Sequence, residues 1–326
     1  MPEGPLWISE GDVAALLSLG EAIDVLAAAY RLQAAGQAAS MPRTHLREGD
    51  AILHAVGGSM SGVGVAGTKT WLYTPGGAAP LLVLFSLEDG HALGVIEAFA
   101  LGQMRTAATS GLGTRLLARE DASSLALVGT GKQAFSQAQA VAAVRPIAEV
   151  RVVGRDPGRR GAIAARVREE LGVVVAEFGE VAPAVEGAAV VTTITRAAEP
   201  VLGGDAISPG THVNAVGAIV PTRRELDERA VAAADVVVVD SVIQAREDAG
   251  ELRAAVDAGL LDWSDVHGLD AVIDEDTATL RAPEEITLFK ALGVGLSDVA
   301  LGVELLDRAH AEGAGRPLPA RVPGHH

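Results

Sequence analysis

The stretch Gly129-Thr130-Gly131-Lys132-Gln133-Ala134 constrains this chain more than any other. It follows the apolar run Leu125-Ala126-Leu127-Val128 and opens a segment of helical spacing that reaches Ala143. Strand, glycine turn and helix together are the context in which a G-x-G-x-x-G/A pattern has physical meaning. The first glycine makes a tight turn, the second lets backbone approach a diphosphate, and the third small residue lets helix and strand pack closely. The helix N-terminus then offers unpaired N–H groups and the positive end of its dipole. Gly129 and Gly131 are therefore expected to cradle a dinucleotide. A glycine-rich turn without a ligand would look the same in isolation; the flanking strand and helix, and the unit that follows them, weigh against it.

Further apolar runs follow at Val150 to Val153, Val173 to Val175, Ala189 to Ile194, His212 to Val216 and Asp235 to Asp240, with helical spacers between them. Short β-branched runs of this kind indicate a parallel sheet covered on both faces. The expected fold class is α/β, with a Rossmann domain over residues 120–294. Upstream, residues 9–36 read as helix-rich, with Ser9 and Asp12 as a capping box. Gly64 to Leu72, Leu81 to Leu87 and Gly94 to Phe99 read as strands of an antiparallel sheet, with turns at Pro75-Gly76-Gly77 and Asp89-Gly90. Residues 103–120 return to helical spacing. Near the end, Leu296, Val299, Ala300, Val303 and Leu306 mark an amphipathic helix expected to pack back on the first domain. That domain is then a discontinuous α+β one, residues 1–119 with 295–326.

Composition excludes several classes. The 326 residues are 49% hydrophobic but only 3% aromatic, so Ala, Val and Leu must fill the core. A net charge of −16 argues against non-specific binding to nucleic acid or anionic membrane. The absence of cysteine removes disulfides and thiolate chemistry and fits a reducing, cytoplasmic setting. The start, Met1-Pro2-Glu3-Gly4-Pro5-Leu6-Trp7, lacks the charge and apolar core of a signal peptide. No run reaches the ~18 apolar residues of a membrane span. The 8 histidines show no ligand spacing and Gly324-His325-His326 is too short for a metal site, so no metal is expected and the tail reads as disordered.

The second strand of the α/β domain ends Val152-Val153-Gly154-Arg155-Asp156-Pro157. An acid at the end of that strand would bond both ribose hydroxyls and repel a 2′-phosphate. Gly154 stands there instead, followed by Arg155, with Arg159 and Arg160 nearby. A guanidinium at this place pairs with a 2′-phosphate, so NADP(H) is expected over NAD(H). Asp156 either turns in to hold the ribose or caps the next helix.

Several motifs occur in an order that resembles the ornithine cyclodeaminase/mu-crystallin family. They are Met41-Pro42-Arg43, Thr68-Lys69-Thr70, Arg105-Thr106-Ala107-Ala108-Thr109-Ser110, the glycine turn, Asn214-Ala215-Val216-Gly217-Ala218, Arg224-Glu225-Leu226-Asp227 and Leu288-Phe289-Lys290-Ala291-Leu292-Gly293. The resemblance implies a homodimer whose discontinuous first domain carries substrate and dimer contacts. It implies that Arg43, Lys69 and Arg105 hold a substrate carboxylate, with Leu292 lining the substrate pocket. A desolvated carboxylate needs such pairing, and a bidentate arginine fixes its orientation. It also implies cofactor contacts from Arg105, Thr106, Lys132, Gln133, Thr195, Val216, Gly217 and Arg223, with Thr109 as a further phosphate contact. Each cation alone reads as a surface charge, and the threonines as helix-end donors. Lys69, however, sits among Val, Gly, Trp and Leu, where a lone charge is not casual.

One departure from the family pattern bears on the chemistry. In cyclodeaminases an aspartate follows the glycine turn after the fifth strand; here Val216-Gly217-Ala218 runs into Ile219. An isoleucine can neither accept a proton nor pair with an ammonium group. Amine activation and ring closure lose their base, whereas hydride transfer does not need it. The expected reaction is reduction of an imino acid, or reductive amination of a 2-oxo acid. Lys69 is the first candidate for the proton donor, and His54 is a second, although a lone histidine in an apolar stretch is more often structural. The competing readings are a cyclodeaminase with its acid moved to Glu225 or Asp227, and a cofactor-dependent binding protein without turnover. Glu225 and Asp227 read better as residues that cap or decorate the following helix.

Overall fold

The structure is a computed structural model that describes residues 4–319; the histidine tail lies outside the described residues. The chain opens with β1 (Leu6–Ile8), α1 (Glu10–Leu16) and α2 (Leu19–Ala34). The expected helical start is thus two helices, each begun by its own capping box. Ser9 pairs reciprocally with Asp12, and Ser18 with Glu21. Each box satisfies N–H groups that a helix start leaves bare, and the second one ends the first helix's run. Strands β2 (Ala38–Glu48), β3 (Ala51–Met60), β4 (Val65–Tyr73), β5 (Leu81–Ser86) and β6 (Ala92–Glu97) follow, then α3 (Phe99–Leu117). The last three strands match the runs read from sequence, whereas β2 and β3 lie before the first of them.

The α/β part comprises β7 (Ser124–Val128), α4 (Ala134–Val144), β8 (Glu149–Val153), α5 (Pro157–Leu171), β9 (Val174–Phe178), α6 (Ala182–Val185), β10 (Val190–Thr193) and β11 (His212–Ala215). It continues with α7 (Glu228–Ala232), β12 (Val236–Val239), α8 (Val242–Asp248), α9 (Gly250–Asp257), β13 (Val266–Gly268), α10 (Leu269–Val272), α11 (Thr277–Leu280) and β14 (Thr287–Lys290). The chain then forms α12 (Gly295–Glu312) and β15 (Arg316–Pro317). No single described helix is long and apolar enough to cross a membrane.

Two compact units result. One runs to Arg105 and resumes at Val294; the other is Thr106–Gly293. The division falls inside α3, not after residue 119, because the later turns of α3 pack in the second unit. A Cβ at Gly113 would lie 2.5 Å from the Phe289 ring, and Thr114 accepts from Asn214 Nδ2 at 2.8 Å.

The first unit is built on a sheet of order β15-β1-β6-β5-β4-β3-β2. Its strands from β2 to β6 pair antiparallel, and β1 joins β6 parallel. β2 is the edge strand, which is why it tolerates Pro42 and a polar sequence. Its register shifts between Met41 and Thr44, a bulge of the kind that re-aims a side chain, here Arg43. α12 packs on one face, over β2 to β5. The second unit holds a wholly parallel sheet of order β13-β12-β14-β11-β10-β7-β8-β9, the Rossmann arrangement expected from the apolar runs. Apart from the edge strand β9, its strands are buried through most of their length, and valine, alanine and leucine dominate the core.

A buried polar chain crosses this second unit. His212 opens β11, fully enclosed, with Nδ1 2.8 Å from Thr287 Oγ1 and Nε2 3.2 Å from Asn214 Oδ1. Nε2 thus faces an amide oxygen, and the Thr287 hydroxyl lies within reach of both Nδ1 and the Leu117 carbonyl, 3.1 Å away. Burial pushes its pKa from 6.5 down to about 3. Below pH 6.5 the unfolded chain takes up a proton that the fold refuses, so this histidine's contribution is complete above 6.5 and is lost as pH falls towards 3. The loss is about 1.4 kcal/mol per pH unit. We expect urea midpoints to fall across that window, and His212→Gln, which cannot take up the proton, to flatten the slope. Equal slopes in the two proteins would remove His212 as the cause.

Candidate active site

The glycine turn has the geometry its sequence demands. Gly129 has φ +129°, and a Cβ there would lie 2.5 Å from the Ile194 carbonyl oxygen, so no other residue fits. At Gly131 a Cβ would meet nothing within 4 Å, leaving the approach to its backbone open. α4 starts at Ala134, and the Gln133 side chain makes no capping bond to it. Backbone donors at a helix start without a side-chain cap, above an open glycine, fit a diphosphate. Gln133 Oε1 instead accepts from Ser136 Oγ at 3.3 Å, and Lys132 is exposed beside it.

At the end of β8, a Cβ on Gly154 would stand 2.6 Å from Thr130 Cγ2. The place where an acid would meet a ribose is closed to side chains. Asp156 caps α5, its Oδ1 accepting from Arg159 N at 2.8 Å. Arg155 is exposed, while Arg160 donates to the Gly154 carbonyl at 2.7 Å and pairs with Glu177.

The turns after β10 and β11 are tied together by a residue the sequence reading misplaced. Asp227 does cap α7, accepting from Ala230 N at 2.7 Å. Glu225 does not decorate that helix. It is fully buried and accepts from Thr195 N at 2.5 Å, Gly217 N at 2.6 Å and Thr193 Oγ1 at 3.0 Å. Thr195 and Gly217 are thereby fixed by one carboxylate, with Val216 buried between strand and turn. Ile219 and Arg223 are exposed. Behind the same turn, Lys290 donates to the Ala218 carbonyl at 2.5 Å and to Glu251 at 3.0 Å. Burial raises the Glu251 pKa against the pull of that lysine. Leu292 is 2% exposed in the core of the parallel sheet, its N–H bonded to Asp240 at 2.8 Å.

In the first unit the three cations named from sequence come together. Lys69 on β4 is buried, 4% exposed, and its Nζ lies 2.5 Å from Asp298 Oδ1 on α12. Arg105 on α3 brings Nε to 3.4 Å from the same oxygen. Arg43, from the β2 bulge, is near enough to repel both Lys69 and His54. Burial pushes Lys69 down to about 8; Arg105 and Arg43 add to this and Asp298 opposes it. His54 stacks on Trp71 with ring centroids 4.7 Å apart, and Lys69 Nζ sits 5.5 Å from that indole. Burial, with Arg43, lowers the His54 pKa as well, so the ring is neutral at pH 7. Thr106 and Thr109 lie just past Arg105 on α3, Thr109 buried. Asp298 escaped the sequence reading because an acid in the first turn of a helix is ordinary.

A parallel sheet with this glycine cradle in one unit, and cations gathered around a buried lysine in the other, are the features of a nicotinamide-dependent oxidoreductase. The chain belongs to the ornithine cyclodeaminase/mu-crystallin family, whose profile matches residues 6–313. It is 34% identical over 239 residues, 73% of each chain, to a Delta(1)-pyrroline-2-carboxylate reductase of Bacillus cereus. Among solved structures, the iminosuccinate reductase of Paracoccus denitrificans in complex with NAD+ superposes with a TM-score of 0.91 at 27% identity, covering 98% of this chain and 100% of that one. An archaeal alanine dehydrogenase dimer with bound NAD gives 0.89 at 28% identity, over 97% and 99%.

Glu225 offers a test of the cradle. Glu225→Ala leaves two backbone N–H groups and a hydroxyl without their acceptor, at a cost of about 1–3 kcal/mol each where they stay buried. We expect a lower melting temperature and cofactor binding weakened by about tenfold or more, read by quenching of intrinsic fluorescence. Glu225→Gln should recover part of both. Unchanged cofactor affinity in the alanine variant would show that these turns do not need the carboxylate.

Proposed function

We propose that this protein reduces the C=N bond of a small imino acid, free or formed from a 2-oxo acid and an amine, and that it uses NADP(H) in preference to NAD(H). The observation that carries the reading is the burial of Lys69 beside Arg105 and Arg43, at the 4% exposure of a core residue. Two arginines set beside a buried lysine repel it at a desolvation cost, which a substrate anion bound among them would offset. The relatives named above are a pyrroline-2-carboxylate reductase, an iminosuccinate reductase with NAD+ and an alanine dehydrogenase with NAD, which supports the same class here.

The dinucleotide would be held by Gly129, Gly131, Lys132 and Gln133, with Thr195, Val216, Gly217 and Arg223 around it, and would supply hydride. Arg43 and Arg105 grip the substrate carboxylate, with Lys69 adding charge. Lys69, with a pKa of about 8, carries its proton at neutral pH and is poised to release it to the imine nitrogen. Ile219 offers no base for the deamination steps, which favours reduction over cyclodeamination. The closed position at Gly154 and the exposed Arg155 support the phosphorylated cofactor; Asp156 is turned to cap α5, its Oδ1 on the Arg159 N–H.

We further propose a homodimer. The sheet face opposite α12 leaves large apolar side chains bare. Leu46 is 66% exposed, Leu53 45% and Leu72 50%, and the three sit in one cross-strand row. Phe85 stands on the same face, in register with Ala66 and Ser59. A row of exposed leucines across neighbouring strands needs a cover, and a second copy of the same face supplies one.

The decisive experiment is a panel of cyclic imino acids, and of 2-oxo acids with ammonia or methylamine, assayed with NADPH and NADH. We expect oxidation of NADPH, a better kcat/KM with NADPH than with NADH, and no proline from ornithine. Lys69→Ala should abolish turnover and leave NADPH binding intact; activity within about tenfold of wild type would refute the lysine's role. Preference for NADH would overturn the part given to Arg155 alone. By sedimentation equilibrium, Leu53→Asp combined with Leu72→Asp should halve the mass of the particle, and a monomeric wild type would remove the dimer.

A further inference from the structure

The carboxylate of Asp298 is fully buried, and its presence needs a reason beyond stability. Oδ1 receives Lys69 and faces Arg105, whereas Oδ2 is buried with no hydrogen-bond partner among the described residues. A buried ion pair recovers little more than its desolvation cost, and an unused buried oxygen costs more again. An apolar residue would serve packing at least as well. The groups around Lys69 make the arrangement specific. Asp298 faces it from α12 and Arg105 from α3, and Arg43 acts on it from β2. Trp71 lies beyond it on β4, backed by His54 on β3. A Cβ at Gly102 on α3 would come to 3.6 Å from Nζ, so a larger residue would crowd the ammonium on that side.

We propose, resting on the reductase reading above, that Asp298 is a positioning residue for Lys69, its carboxylate holding the ammonium aimed and protonated so that it can pass a proton to the substrate nitrogen. In that step an N–H bond of Lys69 breaks and its electron pair stays on Nζ. The proton forms a new N–H bond on the imine, which becomes an iminium. The neutral amine remains hydrogen-bonded to Asp298, which keeps Arg105 as its cationic neighbour, and solvent later restores the proton. Without the carboxylate, burial and two arginines would act on Lys69 unopposed.

The variant Asp298→Asn keeps the shape and an acceptor oxygen but removes the charge. The Lys69 side-chain resonance, assigned by its loss in Lys69→Arg, is titrated by NMR in the protein without substrate. We expect its midpoint to fall by about 1–3 units in Asp298→Asn. The alkaline limb of the kcat profile should move the same way, with kcat at pH 8 reduced by about a hundredfold. KM for the imino acid should stay level or fall, because an anion no longer competes for Arg105. A lysine midpoint unchanged by Asp298→Asn, or a wild-type pH profile in that variant, overturns the proposal. Should Asp298→Asn not fold, Asp298→Glu decides: it keeps the charge but displaces it, and kcat must fall by about tenfold or more while Lys69 titrates near its wild-type value. Wild-type kcat in that variant overturns the proposal too. If the wild-type protein reduces none of the imines, the reductase reading fails by itself, and the titration still judges the coupling of Asp298 to Lys69.

Discussion

The cation site depends on a contact between two glycines. A Cβ at Gly295, at the start of α12, would lie 2.2 Å from the backbone of Gly57 on β3. The helix therefore begins with its backbone pressed directly against the sheet. One at Gly302, farther along α12, would lie 2.5 Å from Leu82, so the helix stays close through its middle as well. Asp298 belongs to the first turn after that contact, and the close approach is what lets so short a side chain reach Lys69. A side chain at Gly302 would have to push the Leu82 side chain aside, whereas one at Gly295 would lift the helix off the strand. The ion pair would then stretch inside a low-dielectric core, where a separated pair is a liability and a tight one is tolerable.

Charge in this chain is organised by place, not by total. The protein carries −16 overall, yet the first unit buries Lys69 with Arg105 and Arg43 beside it. Long-range repulsion between the acidic surface and an anionic substrate is screened within about 8–10 Å at ordinary salt. Short, desolvated contacts inside the cluster are screened far less. Cations held in short, desolvated contacts can thus keep a positive field of their own in a protein that is acidic overall. By the same logic an exposed surface pair such as Arg166 with Glu170 contributes little, since solvent and salt screen it.

What could be read from sequence was whatever is local. The glycine turn, the strands around it and the absence of an acid at Gly154 each depend on a few neighbouring residues, and the parallel sheet formed as those runs implied. The edge strand β2 was not readable as a strand, because its proline and charges suit an edge but hide the alternation that marks one. β14 was seen only as a family phrase, although it lies between β11 and β12 and carries Lys290 into the core. Asp298 lies 229 residues from Lys69, so no spacing rule connects them. Glu225 was read by its nearness to a helix, while the fold turns it inward to the two strand ends. In both cases a charged residue has a local explanation good enough to conceal its long-range role.

The buried acids also bear on which reaction the fold permits. If Ile219 stands where the family resemblance puts a cyclodeaminase's aspartate, a replacement acid would have to come from elsewhere in the chain. Glu225 is committed to the turns after β10 and β11, Asp240 to the N–H groups of Leu292 and Gly293, Glu251 to Lys290, and Asp298 to Lys69. Asp227, the other acid weighed from sequence, is spent on its helix cap. Each holds a donor whose loss of partner would itself be costly. Recruiting any of them as a base for the substrate's ammonium group would therefore dismantle a structural bond to gain a catalytic one. Delivering one proton to an imine, as proposed above, makes no such demand: Lys69 has only to be held and charged, and Asp298 Oδ1 lies 2.5 Å from its Nζ.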